Sequence, residues 1–449
     1  MRIAHVLRRL SFDDWGGTEQ VVWNIAKAQK AVGHEVRLFA TTALWKPLAA
    51  ENAKIAKTSL CPLCSLWLKN EPYAETVEGI EIVRFKPIYP WWPMPKDVVA
   101  ELDRKGGNPF VPGLGKALRD WRPDVIHCHA MARIAELCLR VGVQSSSWRK
   151  EENHHSPTPN SNSSLKGRSP IRCIISLHGG GANVPGVEAK SLKAPTRGRL
   201  PWGKMIDIAM RWTRRVPEDF GGIVCVGEDE YERYRAKHPH VMFLPNGVDT
   251  SLFSSLSRSR APSHPLTLLC VARIDRQKNQ MSLVEAVARH PDMALRLVGP
   301  VTQPDYNEEL KRRAAELGVA DRVAFVGALK PGSPELIAEY ANADAFALAS
   351  RHEPFGIVVL EAWAAGLPVV ASDVGGLGRL CAAHPDAAIT FPSGDSAALD
   401  RALDELSRKG ASISLEAMSA AGRKAAAEYD WRTLSSRLVD FYALDGEKI

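Results

Sequence analysis

The chain has 449 residues, 45% hydrophobic and 24% charged, with a formal charge of +7 and a pI near 8.9. Its composition is that of an ordinary globular protein, which at this length should bury about 75% of its unfolded surface. No apolar run approaches the roughly 20 residues of a membrane span, and the mild basicity suits a phosphorylated substrate or an anionic membrane surface but is too diffuse for a nucleic-acid partner.

The opening "MRIAHVLRRL" predicts a buried strand; its apolar run is too short, and too soon broken by Arg8 and Arg9, for a secretory signal. In "DDWGGTEQVVWNIAKAQKAVGHEV", Gly16 and Gly17 open an amphipathic helix over 18–32. Backbone without a Cβ can approach a phosphate at such a helix start, or it can make a tight strand-to-helix turn. Further strands are expected at "EVRLFA", "EIVRF", "DVIHCH", "CIISLH" and "GIVCVG". "CPLC" at 61–64 has metal-like spacing but lacks a second pair, so it reads as an incidental loop pair, and the scattered cysteines fit a reduced, cytoplasmic setting. "IHCH" puts His127 and His129 on one face of a strand. Without a third ligand this pair reads as structural or cleft-lining, and no metal site is expected. Residues 144–170, rich in Ser, Asn, Pro and charge, read as a disordered insertion. "SLHGG" places His178 at the end of a strand, where it either points into a cleft or is capped structurally.

Beyond "PNGVD" at 245–249 come "LTLLCVA", "ALRLVG", "RVAFVG", "AFALAS" and "PVVAS", with helices such as 281–290 between them. Strands alternating with helices imply βαβ units, and runs apolar on both faces imply parallel sheets covered on each side. Two such sets predict two doubly wound domains with ligands at the carboxyl ends of their strands. In "CVARIDRQKN", Arg273 and Lys278 emerge just past a strand, where they could neutralise a diphosphate or lie on a solvated basic loop. "RHEPFGIVVLEAWAAG" carries Glu353 and Glu361 in an apolar setting with no partner nearby in sequence, which points to partners in a bound ligand. Pro354 and Gly356 mark a helix start and "IVVLEAWAA" the helix body. Eight helical residues span about 12 Å, which argues against a paired acid and base of the glycosidase kind. Glu353 would face what the helix start faces, and Glu361 would suit two ribose hydroxyls or reach water as an edge residue. "AMSAAGRKAAAEYDWRTLSSRLVDFYAL" predicts a C-terminal helix whose aromatics Tyr429, Trp431, Phe441 and Tyr442 cover something.

Three motifs are excluded by their context. "HGGG" has no G-x-S-x-G downstream, "GRLPWGKM" has Met205 where a phosphate loop needs Ser or Thr, and "GGLGRLC" has Cys381 where a dinucleotide fingerprint needs a small residue.

Together, "WGGTEQ", "SLHGG", "LPNGVD", "ARIDRQKN" and "SRHEPFGIVVLEAWAAGLPVVASDVGG" resemble, in order, the retaining glycosyltransferase family four, whose E-x7-E region the last stretch matches. The resemblance implies an α/β GT-B fold: two Rossmann-like, doubly wound parallel-sheet domains facing across a cleft. Residues 1–244 would be the acceptor-binding domain, 245–425 the nucleotide-sugar-binding domain, and 426–449 a helix packing back toward the N-terminal domain. It implies a hexosyltransferase that moves a sugar from a UDP- or GDP-linked donor to a hydroxyl of a glycan, lipid-linked glycan or small molecule, with retention and without a metal or other cofactor. Arg273 and Lys278 would hold the diphosphate, helped by amides around Phe355, Gly356 and Ile357 and by Gly16 and Gly17. Glu353 and His178 would contact the sugar, and Glu361 the ribose. Ala272 and Asn279 stand where the family often has Gly, and Arg379 where it often has Glu. A sugar-nucleotide epimerase on the same fold and a catalytically silent nucleotide-sugar-binding protein are the alternatives. Trp91, Trp92 and the basic segment 204–215 offer a peripheral contact with the cytoplasmic face of a membrane, or core packing with a solvated face.

Overall fold

The computed structural model describes residues 1–12, 17–43, 72–89, 109–130, 133–152, 171–178, 217–256, 265–410 and 414–443, with the single positions 99 and 102. The CPLC pair, Trp91 and Trp92, and the basic segment 204–215 lie outside the described residues. The chain divides into two compact units, one of Met1–Pro245 with Ser435–Ile449 and one of Asn246–Leu434.

The first unit is built on β1 (Arg2–Arg9), α1 (Gly17–Ala31), β2 (Glu35–Thr41), β3 (Tyr73–Val77), β4 (Ile80–Phe85), α2 (Leu114–Trp121), β5 (Val125–Cys128), α3 (Arg133–Glu152), β6 (Arg172–Leu177), β7 (Gly222–Cys225), α4 (Glu228–Arg235) and β8 (Val241–Phe243). Its sheet runs β3-β4-β2-β1-β5-β6-β7-β8, parallel throughout except for β3. Alternate residues of the central strands face opposite layers. Ala4, Val6, Ile126 and Cys128 join the core under α2 and α3, while Leu7 packs with Val22 and Trp23 of α1. β3 was not expected from the sequence. Its burial alternates along an edge, and Glu75 is held there by the fully buried Arg84 at 2.6 Å. Helix α3 runs on to Glu152, so the segment marked by composition as a disordered insertion begins as helix; 153–170 lies outside the described residues.

The second unit contains β9 (Leu266–Val271), α5 (Gln280–Arg289), β10 (Met293–Val298), α6 (Pro304–Glu316), β11 (Val323–Gly327), α7 (Pro334–Asn342), β12 (Ala345–Leu348), α8 (Ile357–Ala364), β13 (Val369–Ser372), α9 (Gly375–Ala383), β14 (Ala388–Phe391), α10 (Ser396–Gly410) and α11 (Ser414–Glu428). Its sheet runs β11-β10-β9-β12-β13-β14, all parallel. Proline at the first helical position starts α6 and α7, and the Ser333 hydroxyl accepts from the Leu336 amide to cap α7.

Both sheets reverse their direction of winding between their first strand and the next strand of the second half: between β1 and β5, and between β9 and β12. Such switch points are where doubly wound sheets open a crevice at the carboxyl ends of their strands.

The C-terminal segment is not one helix. It breaks after α11, and α12 (Trp431–Ala443) begins on Asp430, whose carboxylate accepts from the Arg432 amide at 2.8 Å and the Thr250 amide at 3.2 Å. Trp431, Phe441 and Tyr442 are buried. Phe441 packs on Gly222, where a Cβ would come within 2.9 Å of its ring.

Candidate functional site

In the second unit, the switch point between β9 and β12 holds a cavity of about 340 Å³, within the usual size range for a small-ligand pocket. It is lined by Asn246, Val271, Ala272, Arg273, Lys278, Leu348, Glu353, Pro354, Phe355, Gly356, Ile357 and Val358. Two loops form it, one after β9 and one after β12. They are stitched together by the Arg351 amide donating to the Gln277 carbonyl at 2.7 Å and by Gln277 Nε2 donating to the His352 carbonyl at 3.2 Å. Gln280 Nε2 donates to the Arg273 carbonyl at 2.7 Å and anchors the first loop. Asn279 precedes α5 with φ of 53°, a left-handed conformation that Asn tolerates better than most residues. That explains why Asn can stand where the family often has Gly.

The second loop is shaped by glycine. Gly356 takes φ of 95° at the start of α8, and its missing Cβ leaves room for Leu377. Gly376 donates its amide to the Glu353 carbonyl at 3.1 Å, and a Cβ there would lie 1.9 Å from the Pro354 carbonyl oxygen. The "VGG" turn therefore supports the loop that carries Glu353. Arg379 lies on the exposed face of α9.

Lys278 donates to Glu353 Oε2 at 2.5 Å, with both side chains about 12–13% exposed. Arg273 is exposed and has no ion pair among the described residues. Glu361 lies outside the cavity lining, but it stands three and four positions after Val358 and Ile357 and so shares their face of α8. Tyr340 donates to Glu361 Oε2 at 2.6 Å. Burial raises the Glu361 pKa above the usual carboxylate value, and the Tyr340 hydrogen bond opposes that rise. The two glutamates thus have protein partners, contrary to the expectation drawn from their apolar surroundings. Tyr340 and Lys278 are distant in sequence, so no local pattern could have named them.

At the switch point of the first unit there are histidines. His5 on β1 pairs in register with His127 on β5, and His129 follows directly. His5 Nδ1 and His129 Nε2 lie 3.0 Å apart, and His129 Nδ1 and His178 Nε2 lie 3.1 Å apart. His5 Nε2 meets Gln29 Oε1 at 2.8 Å, while His127 contacts the Tyr442 hydroxyl through Nδ1 and the Ser176 hydroxyl through Nε2. The third histidine that the local sequence lacked is therefore present, brought from β1, and the ligand nitrogens of His5, His127 and His129 lie within 4.8 Å of one another. Burial lowers the pKa of His5 and of His178 to about 4 and drives those of His127 and His129 well below the usual value. All four are neutral at physiological pH. Gly17 opens α1 with open space around its Cα, and Gly16 lies outside the described residues.

Two Rossmann-like parallel-sheet units in one chain define the GT-B class of fold. The glycosyl transferase 4-like domain model matches residues 16–247 and the glycosyl transferases group 1 model matches residues 255–425. The chain belongs to this glycosyltransferase family, and it is a glycosyltransferase. It is 30% identical, over 56% of its length and 69% of the relative's, to a GDP-mannose-dependent alpha-(1-6)-phosphatidylinositol monomannoside mannosyltransferase of Mycobacterium tuberculosis. It is 33% identical, over 48% of its length and 54% of the relative's, to a D-inositol 3-phosphate glycosyltransferase of Corynebacterium aurimucosum. Sucrose-phosphate synthase from Thermosynechococcus elongatus has a similar fold, with a TM-score of 0.59 at 20% identity over 98% of both chains. So does an Anabaena protein crystallised with UDP and glucose, with a TM-score of 0.57 at 17% identity over 99% of both chains. No helix among the described residues is long and apolar enough to cross a membrane.

Proposed function

We propose that this glycosyltransferase moves a hexosyl unit from a UDP- or GDP-linked sugar to a hydroxyl of a glycan, lipid-linked glycan or small molecule, with retention of configuration and without a metal. The observation that carries this reading is the convergence of Arg273, Lys278, Glu353 and the start of α8 on one cavity at the β9–β12 switch point. A helix N-terminus and two cations suit a diphosphate, because free amides and fixed positive charge meet the phosphate oxygens.

In this reading Arg273, Lys278 and the amides of Phe355, Gly356 and Ile357 hold the diphosphate, and Glu361, one turn deeper in α8, takes the ribose. Glu353, tied to Lys278, faces the sugar, and the family resemblance assigns His178 a contact with the sugar as well. The bond between the anomeric carbon and the phosphate oxygen breaks, the acceptor oxygen bonds to that carbon on the same face, and the acceptor's proton passes to the leaving phosphate. Charge grows on the diphosphate as the bond breaks, so preorganised cations stabilise the transition state more than the ground state. That supply of positive charge is what supports a metal-independent reaction. A reducing, cytoplasmic setting belongs to the same reading, supported by six described cysteines that are all buried free thiols.

The test is a thermal-shift screen of UDP-, GDP- and ADP-sugars, with GDP-mannose first because the mycobacterial relative is named for it. Acceptor-dependent release of nucleoside diphosphate, in chelator, should follow with the donor that binds. Proton NMR of the product then gives its anomeric configuration. An inverted product or a strict metal requirement would overturn the corresponding part of the reading.

A further inference from the structure

We propose that the buried chain Gln29–His5–His129 sets the tautomer of His178, holding the proton on Nε2 and leaving the Nδ1 lone pair as a hydrogen-bond acceptor. The chain crosses one layer of the first unit, from α1 through β1 and the end of β5 to the end of β6, with separations of 2.8, 3.0 and 3.1 Å. His5 is fully buried, His129 is 7% exposed, and Gln29 is fully buried.

The direction follows from hydrogen-bond bookkeeping. A neutral imidazole carries one donor and one acceptor nitrogen. Gln29 presents its carbonyl oxygen to His5, so His5 Nε2–H donates and His5 Nδ1 accepts. His129 Nε2–H then donates to His5, and His129 Nδ1 accepts from His178 Nε2–H. His178 is left with an unprotonated Nδ1. Turning the Gln29 amide over would reverse every proton in the chain, so one amide determines the state of an imidazole three hydrogen bonds away.

The same geometry speaks against a metal among these histidines. His127 has both nitrogens engaged, one by Tyr442 and one by Ser176, and His5 and His129 share a hydrogen bond where two ligand lone pairs would have to converge. The inference rests on the reading above in one respect: if His178 faces the donor sugar, its Nδ1 accepts a sugar hydroxyl. Gln29, His5 and His129 are then positioning residues that act through His178.

The experiment is long-range 1H–15N correlation NMR of the full chain with ring-labelled histidine, without substrate, the His178 signals being assigned by their absence from the His178→Asn spectrum. The expected result is a single Nε2–H tautomer of His178 near pH 7, becoming a mixture in Gln29→Met. An Nδ1–H tautomer, a mixture in the wild-type chain, or stoichiometric bound metal in the purified protein would overturn the proposal. The wild-type spectrum decides the direction whether or not the variant folds. In the transfer assay, Gln29→Met should raise the apparent donor KM by about twofold with kcat nearly kept, as expected when about half the molecules hold the binding-competent tautomer. If the NMR result holds while His178→Phe turns over like the wild type, the chain stands and the sugar contact of His178 falls.

Discussion

The two units use the same winding order and fill their switch points with opposite chemistry. Between β9 and β12 there is an open cavity with two cations, a carboxylate and a helix start. Between β1 and β5 there is a closed cluster of neutral imidazoles, linked through Gln29, Tyr442 and Ser176. Topology provides the crevice, and side chains decide whether it receives charge. A strand end that opens on a cavity can carry exposed Arg273, whereas His5 and His127, fully buried within their strands against Gln29 and Tyr442, can only be polar groups satisfied without charge.

The comparison breaks most sharply if the cations are removed. Arg273→Ala and Lys278→Ala should each lower turnover by about 100- to 1,000-fold, or about 2.7–4 kcal/mol; Arg273→Ala should nearly keep the thermal midpoint, while Lys278→Ala, which leaves Glu353 unpaired, should lower it. Steady-state kinetics beside a thermal melt checks this, and near-normal turnover in either variant removes that cation from the diphosphate. The next effect is on binding. Glu361→Ala should weaken nucleotide-sugar affinity by about 1.5–3 kcal/mol with little change in kcat, as read by calorimetric titration. An unchanged affinity refutes the ribose contact.

The histidine side is probed by pH. Burial lowers the folded pKa of His5 from 6.5 to about 4. Below pH 6.5 the unfolded chain takes up a proton that the folded chain refuses, so the contribution is complete above that pH and is lost as pH falls toward about 4. Each such histidine steepens the loss by up to about 1.4 kcal/mol per pH unit. Thermal melts from pH 7 to pH 4.5 should show the decline, and His5→Asn should flatten it; parallel curves would refute the assignment. The smallest effect is expected from Tyr340→Phe, which removes one hydrogen bond to Glu361 and should cost about 0.5–1.5 kcal/mol in denaturant unfolding. A neutral result there means that Glu361 is held by other contacts.

Much of the fold was legible in the sequence. The apolar runs from "RIAHVL" to "PVVAS" each became a strand, because a parallel sheet covered on both faces demands continuous apolar residues. β3, β8 and β14 escaped because edge strands carry no such run: β3 alternates, β8 has three residues that are only half-buried, and in β14 the central Ile389 and Thr390 are not buried. The C-terminal break escaped because the signal at Asp430 is a cap whose second partner, Thr250, is 180 positions away.

The sequence by itself determined the two sets of βαβ units, the helix start at Gly356 and the positions of Arg273, Lys278, Glu353 and His178 at strand ends, since periodicity and turn chemistry are local. Only the tertiary structure decided the partners. It joined Glu353 to Lys278, Glu361 to Tyr340, and His178 through His129 and His5 to Gln29. Hydrogen bonds form between atoms near in space, and parallel sheets bring together strand ends that are far apart along the chain.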